Sequence, residues 1–383
     1  MSSQPEGGQA ARLWSAGDGG RRRKGQGGGR RGGGHGQSQE LMVPEADFQS
    51  YYGRAILKPP VWKHDVAIYL FTGGLAASSS MLAAGADLTG RPALRRAGRA
   101  SAMGALVAST FFLVKDLGRP ERFLNMLRVA KVTSPMSVGT WILTAYGGAA
   151  GVAAVSEASR LPAVRDRLGV LSGPAVAVGR PAGLAAAAIA PALATYTAVL
   201  LADTAVPSWH EAYRQLPFLF AGSAMASGAG MGLIAAGAAD VGPARRLAVM
   251  GAAMEMAGAR SVRHTMGLLS EPYLRGRPAR LLQAGEVLTA TGVAGALLGG
   301  RSRVVRTVSG ICLLAASLAT RFGIFEGGVE STKDPKYVVV PQRERMALRE
   351  SQAKREAELA DQRQRTETVT PSGLAGTSSP TTG

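Results

Sequence analysis

The chain has 383 residues, 46% of them hydrophobic, a single cysteine and a formal net charge of +18. One cysteine excludes an internal disulphide and any thiolate-held zinc or iron–sulphur centre within the chain. So basic a chain would ordinarily point to nucleic acid. Here the arginines border long apolar runs, where Lys and Arg sit in membrane proteins, so nucleic acid is rejected and membrane lipid takes its place.

Residues 1–40 are Gly, Arg, Ser and Gln with almost no apolar content, and a disordered tail is expected because such a segment has nothing to bury. Arg21–Lys24 is no twin-arginine signal, because no apolar region follows it. A polytopic membrane domain is expected over residues 41–326. Its approach carries Tyr51, Tyr52 and Trp62, suited to an interfacial belt, and Pro59-Pro60, which keeps the backbone extended.

Apolar runs of nearly spanning length then recur, a helix needing about 20 such residues to cross. They read as eight transmembrane helices: His64–Ala86, Ala100–Val114, Ser137–Val155, Pro181–Ala202, Phe218–Ala239, Leu247–Ala259, Leu281–Leu298 and Val304–Phe325. The fold class is therefore an all-α integral membrane protein. Small residues such as Gly73, Gly74, Gly222 and Gly228 give faces along which helices can approach closely. Residues 327–383 form a polar tail, extended over Lys333–Pro341, helical over Arg343–Arg365 and disordered beyond.

Two connectors carry most of the chemistry. Lys115–Trp141 places Asp116, Arg119, Glu121 and Arg122 within a few residues of a span's end. It reads either as a solvated, headgroup-binding loop or as a folded polar plug in which the acids pair with the arginines. Thr204–Pro217 carries His210 beside Glu211, either a hydrated loop histidine or a proton relay. At the start of the first span, His64, Asp65 and Tyr69 are either packing and anchoring groups or hydrogen-bond partners for a quinone. Glu255 lies within a span, where a charge costs about 2.5–3.5 kcal/mol, so it faces the bundle interior and is a candidate for proton transfer. Glu286 is a weaker candidate nearer an interface.

With eight spans, both termini and the loops after spans two, four and six share one face, which gathers these motifs together. The opposite loops carry arginines and little else. The basic tails favour a cytoplasmic motif face in a bacterial plasma membrane. The four histidines (His35, His64, His210 and His264) all fall in the tail, at span ends or in loops, so none is placed as an axial haem ligand. No phosphate-binding glycine motif is present. A chain without its own redox centre needs a diffusible carrier and a partner.

The stretches DLGRPERF and SPMSVGTW, with YYGRAILKPPVW and TAVPSWHEAYRQLPFLF, resemble the NrfD family of polysulphide-reductase-like membrane subunits, over about residues 51–345. The resemblance implies two four-helix bundles and electron exchange with menaquinone or ubiquinone. It implies a four-cluster ferredoxin-like iron–sulphur partner and a molybdopterin (Mo or W) catalytic subunit. By position it puts Tyr69 near where the family presents quinone-contacting groups, with His64 close by, and puts Asp116, Arg119 and Arg122 in the DLGRPERF block. Together with the residue-level reading, quinone binding is expected at His64, Tyr69 and Asp116, proton transfer at Asp116, His210 and Glu255, and loop ordering and partner docking at Arg119, Glu121 and Arg122. Tyr69 stands where some members have histidine. The DPKYVVVPQRER ending resembles formate-dehydrogenase-associated actinobacterial members. A proton or solute transporter using Glu255 and Asp203, or a passive anchor for a complex, are the competing readings.

Overall fold

The computed structural model describes residues 55–237, 239–299 and 302–369. The expected tail over 1–40, with His35, and the belt tyrosines Tyr51 and Tyr52 lie outside the described residues. Nine long helices follow: α1 (His64–Leu88), α2 (Pro92–Asp116), α3 (Pro135–Ala158), α4 (Gly179–Ala202), α5 (Leu216–Ala235), α6 (Gly242–Thr265), α7 (Gly276–Leu298), α8 (Arg303–Ser331) and α9 (Lys336–Val369). Among the described residues there is no strand. Seven of these helices are long and apolar enough to cross a membrane. The eighth of the bundle, α6, is as long but is diluted by Arg245, Arg246, Glu255, Arg260 and Arg263.

The helices form two four-membered groups. In the first, α1 packs on α2 and α4, and α3 on α4; in the second, α5 packs on α6 and α8, and α7 on α8. The groups meet chiefly through α1 and α5. That seam needs small residues: a Cβ at Gly228 would lie 2.3 Å from Ser78 Oγ. Hydroxyls inside the bundle mostly find internal acceptors, as hydrocarbon demands. Ser78 donates back to Gly74 O at 3.1 Å, and Tyr146 of α3 donates to Ala76 O at 2.6 Å.

Several boundaries differ from the sequence expectation. The second span starts at Pro92 rather than Ala100, and the sixth covers Gly242–Thr265 rather than Leu247–Ala259. In both a proline opens the helix, where its missing N–H costs nothing. The tail over Lys333–Pro341 is not extended but enters α9. Asp334 Oδ1 accepts from Lys336 N at 2.9 Å at the start of this helix, and Tyr337 is buried against the domain.

The arginine-rich loops opposite the motif face also differ. They contribute to a nearly buried ion cluster that ties the first group together. Arg95 grips Glu157 with Nε and Nη2 at 3.0 and 3.1 Å and reaches Asp87 at 3.1 Å. Arg99 donates to Glu157 at 3.0 Å and to Gly179 O at 2.8 Å. The four helices α1 to α4 thereby share one network. Removing one member of a buried ion pair strands the other charge and typically costs about 3–5 kcal/mol. Glu157→Ala is accordingly expected to lower the melting temperature in detergent sharply, whereas Glu121→Ala, on an exposed loop, leaves it unchanged.

The base of α9 is pinned by Glu271, whose carboxylate meets Lys336 Nζ at 3.0 Å and pairs with Arg275. The Lys336 contact holds the Glu271 carboxyl below its usual range. A lowered carboxylate pKa stabilises the docked form above the ordinary value of about 4.3 and is lost as pH falls through the lowered one. Amide protection in the first turn of α9, measured against the intrinsic exchange rate at each pH, should therefore fall on acidification, and Glu271→Gln should remove that dependence.

Candidate functional site

A cavity of about 180 Å3 lies in the first bundle, where the start of α1, the end of α2, the start of α3 and the last turns of α4 converge. Its walls are mostly apolar and include Trp62, Val66, Phe112, Leu113, Met136 and Leu200. Into this apolar slot come two phenols, one hydroxyl and one carboxylate: Tyr69, Tyr196, Thr140 and Asp116.

Each polar group is held by local structure. Tyr69 is buried one turn and a half into α1, and its hydroxyl bonds that of Tyr196 on α4. Tyr196 fits only because α3 has no side chain at Gly139, where a Cβ would lie 2.0 Å from the Tyr196 ring. Thr140 donates to Met136 O at 2.9 Å, which leaves its oxygen free to accept. Asp116 is the last residue of α2, and Gly118, with φ of 65°, turns the chain away directly after it. Lys63 N donates to Asp116 Oδ1 at 3.5 Å, and neighbouring Lys115 pairs with Asp65 at 3.0 Å. These contacts tie the approach to α1 against the end of α2 and make the rim of the cavity.

Such a slot suits a flat, apolar ring bearing polar oxygens. Phenols donate to or accept from ring oxygens, and a half-buried carboxylate at the rim is placed to exchange protons with water.

A family-wide sequence model described as "Polysulphide reductase, NrfD" matches residues 55–256, more than half of the chain and all of the cavity. The chain belongs to the NrfD family. No curated protein matches it. As an NrfD protein with seven apolar helices long enough to cross, it is a multi-pass membrane subunit of the kind that generally serves oxidoreductases by interacting with quinone.

Tyr69 and Asp116, two of the residues expected to contact quinone, line the NrfD cavity together. His64 does not. It is largely exposed, stacks on Phe322 of α8 and lies 3.6 Å from Glu326, because at the helix start it faces the second bundle. His210 is also elsewhere. Its Nδ1 contacts Ala202 O at 2.9 Å, and it lines a surface pocket with Tyr337 and Arg345. Glu255 is buried in the second bundle. Of the expected pairing of Asp116 and Glu121 with the loop arginines, the part with Arg119 is not found: among the described residues no ion pair joins either acid to Arg119, and both Arg119 and Glu121 are exposed. The side chain of Arg122 lies outside the described residues. Gly118 and two short helical turns, Pro120–Arg122 and Phe123–Met126, shape the loop.

The folded plug is the other connector. In Pro207–Glu211 and the turn after it, Trp209 is fully buried, donates to Ile324 O at 2.9 Å, stacks on Trp62 and lies tilted against Phe325. The apolar spacing of Val206, Trp209, Ala212 and Leu216 is a helical face, and that signal was available in the sequence. Tyr196 carries no such signal, since a lone tyrosine among alanines reads as packing.

The two phenols offer a direct test of the site's geometry. Tyr69→Phe or Tyr196→Phe leaves the other hydroxyl without its partner, a loss of about 1–3 kcal/mol. The double variant should cost less than the sum of the singles, by about 0.5–3 kcal/mol. Strict additivity in detergent unfolding would mean that the two hydroxyls do not act as a pair.

Proposed function

We propose that this NrfD chain is the quinone-interacting electron-transfer subunit of a membrane-bound oxidoreductase, with its quinone site in the Tyr69–Tyr196–Asp116 cavity. The observation that carries the reading is the coincidence of a buried phenol, a partly buried one and a rim carboxylate in one apolar, aromatic-walled slot. The residues fit a quinone ring: Trp62 and Phe112 offer faces for stacking, and polar atoms stand on more than one helix. When bound, menaquinone or ubiquinone supplies the two-electron, two-proton chemistry. Tyr69 and Tyr196 hold the ring oxygens by hydrogen bonds and fix the ring's orientation. Asp116 exchanges protons with the aqueous face. Phe112, Leu113 and Leu200 keep water from the slot.

Electrons pass between this site and a four-cluster ferredoxin-like iron–sulphur subunit, which serves a molybdopterin subunit of the formate-dehydrogenase or polysulphide-reductase type. The docking surface is the loop over the cavity. Leu124, Val129 and Val132 are exposed there, beside the exposed Arg119 and Glu121. An apolar patch of this kind with a polar rim suits a partner protein. The complex resides in a bacterial plasma membrane with both tails and the motif face cytoplasmic, as the basic tails favour.

Asp116→Asn keeps the size of the side chain and removes its proton exchange. In the native complex it should cut quinone-linked turnover by about 100-fold or more, the scale of general acid–base contributions, while the iron–sulphur subunit still co-purifies. Unchanged turnover would remove Asp116 from the proton route. Loss of the co-purifying subunit would instead make it a docking residue.

A further inference from the structure

The second bundle holds a cavity in the position that corresponds to the first. Tyr196 and Leu200 lie as far from the start of α4 as Thr320 and Ile324 lie from the start of α8, and each pair lines its own cavity. Phe112 and Leu113 on α2 have the same relation to Val262 and Arg263 on α6. The chemistry differs. The second cavity is about 60 Å3, a third of the first, and no phenol pair crosses it.

Its polar atoms are buried and incompletely partnered. Glu255 is 5% exposed, Tyr273 2% and Thr289 1%. Thr320 Oγ1 donates to Glu255 Oε1 at 2.7 Å. Glu255 Oε2, Thr289 Oγ1 and Tyr273 OH make no hydrogen bond of ordinary length within the protein, although the Ser223 and Thr289 hydroxyls stand near enough to the carboxyl to interact with it. Three such atoms around one small cavity are rare, because buried polar groups are normally satisfied. A water needs roughly 10–15 Å3 of such space and 2–4 polar partners, so about four waters fit.

The charges around Glu255 are arranged asymmetrically. On α8 the guanidinium of Arg321 is fully buried over the Phe220 ring, 3.7 Å from its centroid, and donates to Phe220 O at 2.8 Å. Its Nε and Nη1 have no acceptor, and no ion pair of ordinary length joins it to Glu255. Ser223 of α5 and Thr289 of α7 also face the carboxyl. Towards the motif face the cavity ends at the ion pair of Arg263 on α6 with Glu286 on α7, each about one third exposed.

We propose that this second cavity is a hydrated proton-binding site. Glu255 takes up a proton from, and returns it to, a water cluster held by Tyr273 and Thr289. The cluster reaches the aqueous motif face past the Arg263–Glu286 pair. Uptake converts the carboxylate to the acid and leaves the nearby buried Arg321 without a compensating charge; release restores the negative charge beside it. The site is separate from the quinone cavity, so it stands whether or not quinone binds there.

The test is infrared spectroscopy of the purified full-length chain, following the carbonyl band of buried protonated carboxyls during pH titration and transfer into heavy water. A titrating band that shifts promptly in heavy water and is absent from Glu255→Gln is expected. Tyr273→Phe and Thr289→Val together should slow that shift by about tenfold, the scale of one lost hydrogen bond. A titrating band that persists in Glu255→Gln, a wild-type chain without such a band, or an exchange rate indifferent to the Tyr273 and Thr289 changes would each overturn the proposal. Because the last two substitutions are near-isosteric, they test the route even if Glu255→Gln does not accumulate.

Discussion

Inside hydrocarbon, every polar group must find its partner within the protein, and the architecture follows from how that demand is met. At the end of the first bundle opposite the motif face it is met almost fully. Asp87, Arg95, Arg99 and Glu157 neutralise one another across helices of one bundle, and the result is a staple. In the core of the second bundle it is met only in part. Arg321 has a carbonyl and a ring, Glu255 has one hydroxyl, and several atoms remain unmatched. Complete networks rigidify, whereas incomplete ones mark places where a mobile species completes the set.

The two bundles share one plan but differ in what they enclose. In each, the first and fourth helices pack together, and a cavity opens near the motif face between the ends of all four. In the first bundle Gly139 admits the Tyr196 ring and gives a wide aromatic slot. In the second, Thr320 takes the place of Tyr196, and the space shrinks to a few waters' worth around an acid. Trp209 bridges the bundles by lying against both Trp62, ahead of α1, and Phe325 on α8. Gly328 is required there, since a Cβ would fall 1.9 Å from Trp209 Nε1.

Much of this was legible in the sequence. Apolar runs gave the number of helices, and the motifs gave the family. An acid at the end of α2 and a tyrosine early in α1 could be read as one site because both fall on the same face. Span lengths were underestimated wherever arginines continue a helix, as in α2 and α6, because hydropathy counts charge without knowing that it is paired. The closed Asp87–Glu157 cluster was invisible for the same reason: its members are far apart in sequence. His64 lies outside the first-bundle cavity because its position on α1 fixes its depth but not its direction, and that direction is towards Glu326. Arg321 was passed over, although a charge deep in a membrane helix is as informative as Glu255.

The central claim is that quinone occupies the first-bundle cavity. Photoaffinity labelling of the native membrane complex with an azido-quinone, followed by peptide mapping, tests it most directly. The account predicts label on the segments carrying Phe112 to Leu117, Met136 to Thr140 or Tyr196 to Leu200, competed by unlabelled quinone. Competable label confined to the second bundle or to the lipid-facing surface would contradict it.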